Sequence, residues 1–328
     1  MTDHSVHDLD TCLERSLESG PAERLHQSEL TRRALRLAPE DGFFRSAIAP
    51  LTLIRVSETT APMPCVTEPS LFVAIQGRKR MELAGQPFIY DPLHYLVVSL
   101  ALPVTGQIIE ASPQVPYLCA RLDIDLAMLG ELLLEHDPGE PANDSEERRG
   151  LFVARMSDSM TDAVLRLVRL LDTPHDIPAL APLILREIHY RVLCGELGHR
   201  LRDLAGINGQ SRSIVEVIQL LKTRYAEPLR IEDLAATVHM SPSTLHHRFK
   251  DLTSMSPLQF QKQLRLHEAR RLMLSEGVNA STASHRVGYN SPSQFSREYR
   301  RLFGAPPNQE IAQQREVLTG NLLASPAW

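Results

Sequence analysis

Basic and amide side chains recur at matching places in two short segments of the C-terminal third of this chain. An arginine such as Arg297 can donate two hydrogen bonds to guanine O6 and N7, and a glutamine such as Gln294 can pair with adenine. Lysine and arginine side chains further along each segment are suited to phosphate oxygens. The residues predicted to contact phosphate are Arg248, Lys250, Arg300 and Arg301.

The charge of the chain is distributed unevenly. The formal net charge is -5, which by itself does not indicate a nucleic-acid partner. Between Ser241 and Phe303, however, ten Arg or Lys residues stand against four Asp or Glu residues. A compact basic module attached to an acidic remainder is the charge pattern expected of a domain that binds phosphates.

The two segments are near-copies of each other. The sequence SPSTL at 241–245 returns as SPSQF at 291–295, and apolar residues follow in both copies at i, i+4 and i+7. This spacing predicts an amphipathic helix with one buried face. Serine at the N-cap and proline at the first helical position give each helix a defined start. A further short helix is expected before each copy, at 231–238 and 280–287, which completes two helix-turn-helix units.

A longer helix connects the two units. Ser256 and Pro257 open it, and Gly277 is expected to end it. Some twenty residues at about 1.5 Å each form a rod of about 30 Å, close to one turn of B-DNA at about 34 Å. Such a spacer can hold two helices in successive major grooves. The major groove of A-form RNA is too narrow for the same contact, so double-stranded DNA is the predicted partner.

The stretch VGYNSPSQFSREYRRLFGAPP at 287–307 resembles the signature of AraC-type (AraC/XylS) bacterial transcription regulators, and the resemblance extends upstream to about Ile214. It implies a seven-helix DNA-binding domain whose two recognition helices enter adjacent major grooves. The first helix is expected to begin at Ser213, where Ser213 and Glu216 resemble a capping box. RNA polymerase is a further partner that the resemblance suggests.

The base-contacting positions of that family can be carried over onto this sequence. Leu245 and Phe249 are expected to face inward, so that the outward residues near each helix start face the DNA. Arg297 could instead contact phosphate, and a zinc site on the histidine pair is not expected because no HExxH or CxxC motif is nearby. The predicted base contacts are Ser243, His246, His247, Pro292, Ser293, Gln294 and Arg297.

The N-terminal part has a different residue pattern. Short β-rich runs punctuated by glycine and proline lie between Leu51 and Asp125, and they predict a small antiparallel barrel or sandwich. The stretches LFVAIQGRKRMELAG (71–85) and YDPLHYLVVSLALPV (90–104) resemble the cupin-like effector domain of one AraC subgroup. The predicted fold class is therefore α+β: a cupin-like antiparallel β-barrel with flanking helices, and an all-α double helix-turn-helix domain. An unidentified small-molecule effector is the expected ligand.

Many cupins are metal enzymes, which makes a metal-dependent cupin enzyme with an appended DNA-binding domain the alternative function. Metal catalysis needs about three converging His or carboxylate ligands. His94 is the single histidine between Leu51 and Asp125. We therefore expect no catalytic residues, no metal and no cofactor. Cys65 and Cys119 are either sensors of oxidants or inert core residues.

The predicted organisation has six parts. The helical segment either packs on the barrel or forms a dimer contact, and the resemblance favours a homodimer. Widely spaced cysteines and the lack of a long apolar run indicate a cytoplasmic protein without a membrane segment. The parts are a leader at 1–35 that could be flexible, the barrel at 36–125, the helical segment at 126–204, a linker at 205–210, the DNA-binding domain at 211–310 and a tail at 311–328.

Overall fold

A computed structural model describes residues 21–135, 149–205 and 210–320. The first described element is helix α1 (Pro21–Leu37), on which Leu30 and Ala34 are buried. The predicted leader at 1–35 is therefore corrected in its boundary, because α1 packs Leu30 and Ala34 into the core of the next domain; residues 1–20 lie outside the described part. None of the helices in the described residues is long and apolar enough to cross a membrane.

Ten strands in the described residues form two antiparallel sheets. The six-stranded sheet has the order β1-β2-β9-β4-β7-β10, and the four-stranded sheet has the order β3-β8-β5-β6. The strands are β1 (Gly42–Arg45), β2 (Leu51–Val56), β3 (Met63–Thr67), β4 (Ser70–Gln76), β5 (Arg78–Leu83), β6 (Gln86–Tyr90), β7 (His94–Val98), β8 (Leu102–Glu110), β9 (Tyr117–Asp123) and β10 (Leu151–Arg155).

The two faces of the six-stranded sheet pack against different partners. Because side chains alternate along a strand, Leu71 and Val73 of β4 face the helices, whereas Phe72 and Ala74 face the four-stranded sheet. The cupin-like antiparallel β-domain is thus confirmed, but the two sheets do not join into a closed barrel. The prediction of a barrel is corrected to two stacked sheets.

Outside the undescribed stretch 136–148, the segment after β9 has four α-helices: α2 (Leu126–Glu135), α3 (Asp158–Arg169), α4 (Ile177–Cys194) and α5 (Gly198–Ala205). The predicted boundary at residue 125 cuts through the sheet, because β10 returns from the helical segment to pair with β7. Leu129, Val164 and Ile188 of these helices are buried in the same hydrophobic cluster as the outer face of the six-stranded sheet. The helical segment therefore packs on the sheet. The predicted linker, 205–210, lies largely outside the described residues.

Seven helices follow between residues 210 and 320, the part of this domain that the structure describes, and seven is the number that the resemblance implies. They are α6 (Gln210–Thr223), α7 (Ile231–Thr237), α8 (Pro242–Thr253), α9 (Pro257–Ser275), α10 (Ala280–Arg286), α11 (Pro292–Phe303) and α12 (Pro307–Gly320). Helix α6 begins at Gln210, so the predicted start at Ser213 is wrong and Ser213 lies inside the first turn. The predicted tail at 311–328 is also corrected, because α12 continues to Gly320; residues 321–328 are not described.

The N-terminal and C-terminal domains share a continuous core. One hydrophobic cluster runs from between the sheets through Leu100 and Leu151 to Phe249 and Leu252 of the first helix-turn-helix unit. The Gly150 backbone NH donates to the Leu252 carbonyl at 2.8 Å. An ion pair, Lys222 with Glu68 at 2.6 Å, lies across the same boundary. The first recognition helix is therefore attached directly to the N-terminal domain.

Candidate nucleic-acid interface

The two recognition helices, α8 and α11, begin in the same way. The Ser241 hydroxyl accepts a hydrogen bond from the Thr244 NH at 3.1 Å, and the Ser291 hydroxyl accepts one from the Gln294 NH at 3.3 Å. Proline follows the cap in both helices, where its missing NH is no loss. These local signals fix where the polar end of each helix starts, as the sequence predicts.

The inward face of each recognition helix is fully buried. Leu245 and Phe249 of α8, and Phe295 and Tyr299 of α11, have no exposed surface. Because a helix turns by about 100° per residue, the residues between them point outward. All seven predicted base contacts are exposed: Ser243, His246, His247, Pro292, Ser293, Gln294 and Arg297.

The ten basic residues between Ser241 and Phe303 divide into two groups of five. One group makes hydrogen bonds or ion pairs within the domain, and its members are Lys262, Arg265, Arg270, Arg271 and Arg286. The other group lies on α8 and α11 and has no hydrogen bond or ion pair to any side chain or carbonyl in the described residues. Its members are Arg248, Lys250, Arg297, Arg300 and Arg301. The positive charge that remains available to phosphates is thus concentrated on the two recognition helices.

Two predicted base contacts have a polar neighbour inside the domain. The Gln294 side-chain amide donates to Glu298 Oε1 at 3.2 Å, and His247 Nε2 lies 3.5 Å from Asp251 Oδ2. Both contacts are on the exposed surface, where such interactions are weak. For Gln294 to bind adenine, its side chain would have to exchange only the hydrogen bond to Glu298.

Arg265, in the middle of α9, holds the two helix-turn-helix units together. Its guanidinium donates to the carbonyls of Tyr225 at 2.7 Å and Glu227 at 2.9 Å, and to that of Gly288 in the second turn at 3.0 Å. The Gln261 amide, one turn earlier, donates to Tyr225 and Glu227 as well. Sequence reasoning missed this role. The available signal was a Gln and an Arg spaced i, i+4 on an otherwise apolar helix side.

Two titratable side chains beneath the second recognition helix, His267 and Tyr289, are held neutral. Burial lowers the pKa of His267 to about 3, and its ring packs edge-on against Phe303 with centroids 5.3 Å apart. Burial, together with the neighbouring Glu298, raises the pKa of Tyr289, whose hydroxyl donates to that carboxylate at 2.7 Å. Neither of these two side chains therefore changes its charge around neutral pH.

Comparison with known families agrees with these features. Residues 47–200 match the family described as the AraC-type transcriptional regulator N-terminus. Residues 234–313 match a family described as a helix-turn-helix domain. Together the two matches cover well over half of the chain, in the order that the resemblance predicts. The chain belongs to the AraC-type transcriptional regulators.

Individual relatives of this AraC-type chain are distant. It is 26% identical over 175 residues to the HTH-type transcriptional activator RhaS of Salmonella schwarzengrund, and 27% identical over 178 residues to RhaS of Salmonella typhimurium. Each alignment covers 53% of this chain and 62% of the relative. The chain thus spans less than two thirds of the curated relatives that it matches.

Solved structures of ToxT from Vibrio cholerae share the fold. An apo form aligns with a TM-score of 0.53 at 10% identity, covering 81% of this chain and 98% of that one. A form bound to an unsaturated fatty acid aligns with a TM-score of 0.51 at 11% identity, covering 80% of this chain and 94% of that one. The alignments span both domains and establish the architecture.

The enzyme alternative finds no support in the described residues. Within them no group of three or more His, Cys, Asp or Glu side chains is arranged to hold a metal ion. His94, the histidine considered for such a site, pairs through Nδ1 with Asp91 at 2.8 Å. Cys65 and Cys119 are buried, and burial raises the pKa of both thiols, which suits inert residues better than reactive ones.

Proposed function

We propose that this chain binds double-stranded DNA sequence-specifically through α8 and α11 and regulates transcription in response to a small effector held by the N-terminal domain. The observation that carries the proposal is the position of the five unpaired basic residues, all of which lie on these two helices. The exposed polar residues at both helix starts support it further. A bacterial regulator of this kind acts in the cytoplasm, which is the location we propose.

Selection from a random pool of duplexes with the purified full-length chain tests this proposal. We expect enrichment of two short motifs whose centres lie about 10 base pairs apart, because the 19 residues of α9, at about 1.5 Å each, have about the length of one turn of DNA. A pool that stays random after repeated rounds would contradict sequence-specific binding.

Substitution of Arg297 and Arg301 should separate base reading from phosphate binding. Arg297→Ala is expected to lose about 1–3 kcal/mol of discrimination at one or two base positions. Arg301→Ala should weaken binding to all DNA sequences alike. It should also reduce the slope of the logarithm of the binding constant against the logarithm of the salt concentration by about 0.9. Both effects can be measured by titrating matched and mismatched duplexes at several salt concentrations.

Arg271→Ala is the matched control for both variants. Arg271 is exposed and basic but is paired with Glu268 on α9 rather than placed on a recognition helix. We expect its removal to leave affinity, preference and salt slope at wild-type values. If Arg297→Ala left every base preference unchanged, the assignment of that residue to base reading would be wrong.

We further propose that the chain forms a homodimer through α4. Leu180, Leu183, Tyr190 and Cys194 are exposed on this helix and follow one another at steps of three, seven and four residues. Such residues form one stripe, with the spacing of a coiled-coil seam. Leu183 is 64% exposed, and a contiguous exposed apolar stripe of this kind is typical of an interaction surface. A contact with RNA polymerase stays a prediction of the resemblance.

Leu183→Glu should raise the dimer dissociation constant at least tenfold, on the order of the effect of one central interface residue. Sedimentation velocity over a range of concentrations measures it. Leu258→Glu, at a leucine that is 55% exposed on α9, is the control and should leave association unchanged. A wild-type chain that stays monomeric at every concentration would refute the dimer.

The proposal assigns no catalytic step to the chain. Metal analysis of the purified protein is the simplest check of the alternative enzyme function. Stoichiometric iron, manganese or zinc would revive that alternative.

A further inference from the structure

A cavity of about 430 Å³, the interdomain cleft, lies where the N-terminal domain meets the two helix-turn-helix units. Its volume falls within the range of small-molecule pockets, about 300–1,000 Å³. The first half of α9 and the second half of α11 form two of its walls, and Ala84, in the turn between β5 and β6, borders it from the N-terminal domain. The charged and amide side chains that line it are Gln259, Lys262, Gln263, Glu298 and Arg301.

The charged side chains of the interdomain cleft leave one positive charge without a partner. Lys262 Nζ lies 3.7 Å from Glu298 Oε1, so these two charges offset each other. Glu298 also accepts a hydrogen bond from the Tyr289 hydroxyl at 2.7 Å. Arg301 has no hydrogen bond or ion pair to any described residue. The cleft therefore favours a ligand with a single negative charge, and a guanidinium can bind a carboxylate through two parallel hydrogen bonds.

The uncharged side chains of the cleft favour hydroxyl groups on that ligand. Gln259 and Gln263 lie one turn apart on α9, and both border the cleft. Gln259 Oε1 accepts the Ser256 NH at 3.0 Å in the helix cap, and its amide NH₂ remains available as a donor. The Gln263 side chain makes no hydrogen bond to a described residue. An amide can both donate and accept, which suits hydroxyl groups, and Leu266 and Leu302 add an apolar wall for carbon-bound hydrogens.

We propose that the interdomain cleft binds a sugar acid, a small polyhydroxylated monocarboxylate, with Arg301 on the carboxylate and the two glutamines on the hydroxyl groups. This site differs from the effector site of the proposed function, because all of its described lining residues except Ala84 belong to the DNA-binding domain. Arg301 is also assigned to phosphate binding, and a guanidinium that holds the acid is no longer available to the DNA backbone. The bound acid should therefore weaken DNA binding, a consequence that rests on the proposed function, whereas binding of the acid itself does not.

Calorimetric titration of the purified full-length chain with gluconate, glucuronate and galacturonate tests the binding, with glucose and galactose as uncharged counterparts. We expect at least one acid to bind while its neutral sugar does not. Arg301→Met should weaken the binding of that acid about 10–100-fold, and Gln263→Leu should weaken it about 3–10-fold. Arg300→Met is the matched control, because Arg300 is the adjacent exposed basic residue on α11 but does not line the cleft. It should bind the acid like wild type.

Antagonism between the acid and DNA gives the second test. A duplex selected by the full-length chain is titrated with and without a saturating concentration of the acid. We expect the acid to lower the affinity for the duplex, and the duplex to lower the affinity for the acid by the same factor, because coupling between two ligands is reciprocal. The duplex affinity of Arg301→Met should be lower than that of wild type and should no longer respond to the acid.

The inference is overturned if none of the acids binds, if glucose or galactose binds as well as the acids, or if Arg301→Met keeps the wild-type affinity for the acid. None of these results depends on DNA, so each leaves the proposed DNA-binding function intact. An acid that binds through Arg301 without changing the duplex affinity would refute the antagonism. A chain that binds the acid through Arg301 but selects no duplex would refute the DNA-binding function alone.

Discussion

Gly288→Ala should destabilise the chain by about 2–5 kcal/mol and weaken DNA binding by the second recognition helix. Gly288 lies in the turn between α10 and α11 with a φ of +85°, and a Cβ there would lie 2.1 Å from the Ala226 carbonyl oxygen. The positive φ costs about 1–2 kcal/mol for a residue with a Cβ, and displacing a packed backbone adds about 1–3 kcal/mol. Urea unfolding of the full chain measures the sum.

Gly304→Ala separates the two contributions. Gly304 ends α11 with a nearly identical φ of +82°, but nothing lies within 4 Å of the position of its Cβ. Its substitution should therefore cost only about 1–2 kcal/mol. If both variants lost the same free energy of unfolding, the contact with Ala226 would contribute nothing to stability.

The effect on DNA follows from what the Gly288 turn contacts. Its carbonyl accepts a hydrogen bond from Arg265, and Ala226 belongs to the loop that follows α6. The close approach of this turn to that loop fixes the second unit against the first. An added Cβ must push the two units apart and so change the spacing of α8 and α11. We expect the affinity for a two-motif duplex to fall more than the affinity for either motif alone.

The DNA-binding part was predictable because its signals are local. The caps at Ser241 and Ser291 and the break at Gly277 each depend on a few neighbouring residues, and the structure reproduces them. The start of α6 was not predictable in this way. Ser213 and Glu216 have the spacing of a capping box, but the helix continues upstream to Gln210, so a local motif alone did not decide the boundary.

The N-terminal sheets were predictable only where strands are apolar. Strands β2, β4 and β9 are rich in β-branched and apolar residues, and they lie among the β-rich runs that the sequence shows between Leu51 and Asp125. Strand β5 begins Arg-Lys-Arg, and only its pairing with β6 and β8 makes it a strand. Strand β10 follows residues 136–148, and its place beside β7 depends on a partner more than fifty residues away. Long-range pairing of this kind leaves no pattern within a single segment.

The same limit applies to the interface. The outward positions of α8 and α11 follow from helix periodicity, so the candidate base contacts could be named from sequence. Which basic residues stay unpaired could not, since partners such as Glu310 for Arg270 are 40 residues distant. The composition shows that this domain has an excess of basic residues. Which five of the ten remain unpaired and free to bind phosphate depends on the tertiary structure.

Removal of Arg270 should be the most costly loss of an ion pair in the DNA-binding domain. Its Nη2 lies 2.7 Å from Glu310 Oε1, with the two side chains only 12% and 6% exposed. The Tyr299 hydroxyl donates to the other carboxylate oxygen at 2.8 Å. Helices α9, α11 and α12 thus meet at one buried carboxylate. Arg270→Met leaves that charge with a single neutral donor, and we expect a loss of about 3–5 kcal/mol.

A double-mutant cycle distinguishes this loss from a simple loss of packing. Arg270→Met combined with Glu310→Leu should recover much of the stability, because replacing both partners by apolar residues removes the uncompensated charge. Arg271→Met, which breaks an exposed pair one residue away, should cost no more than about 1 kcal/mol. If Arg270→Met cost as little as Arg271→Met, the buried pair would not be what holds α12 under the second recognition helix. Because the pair ties α12 to α9, and the Tyr299 hydroxyl of α11 donates to the same carboxylate, loss of the pair should also weaken DNA binding.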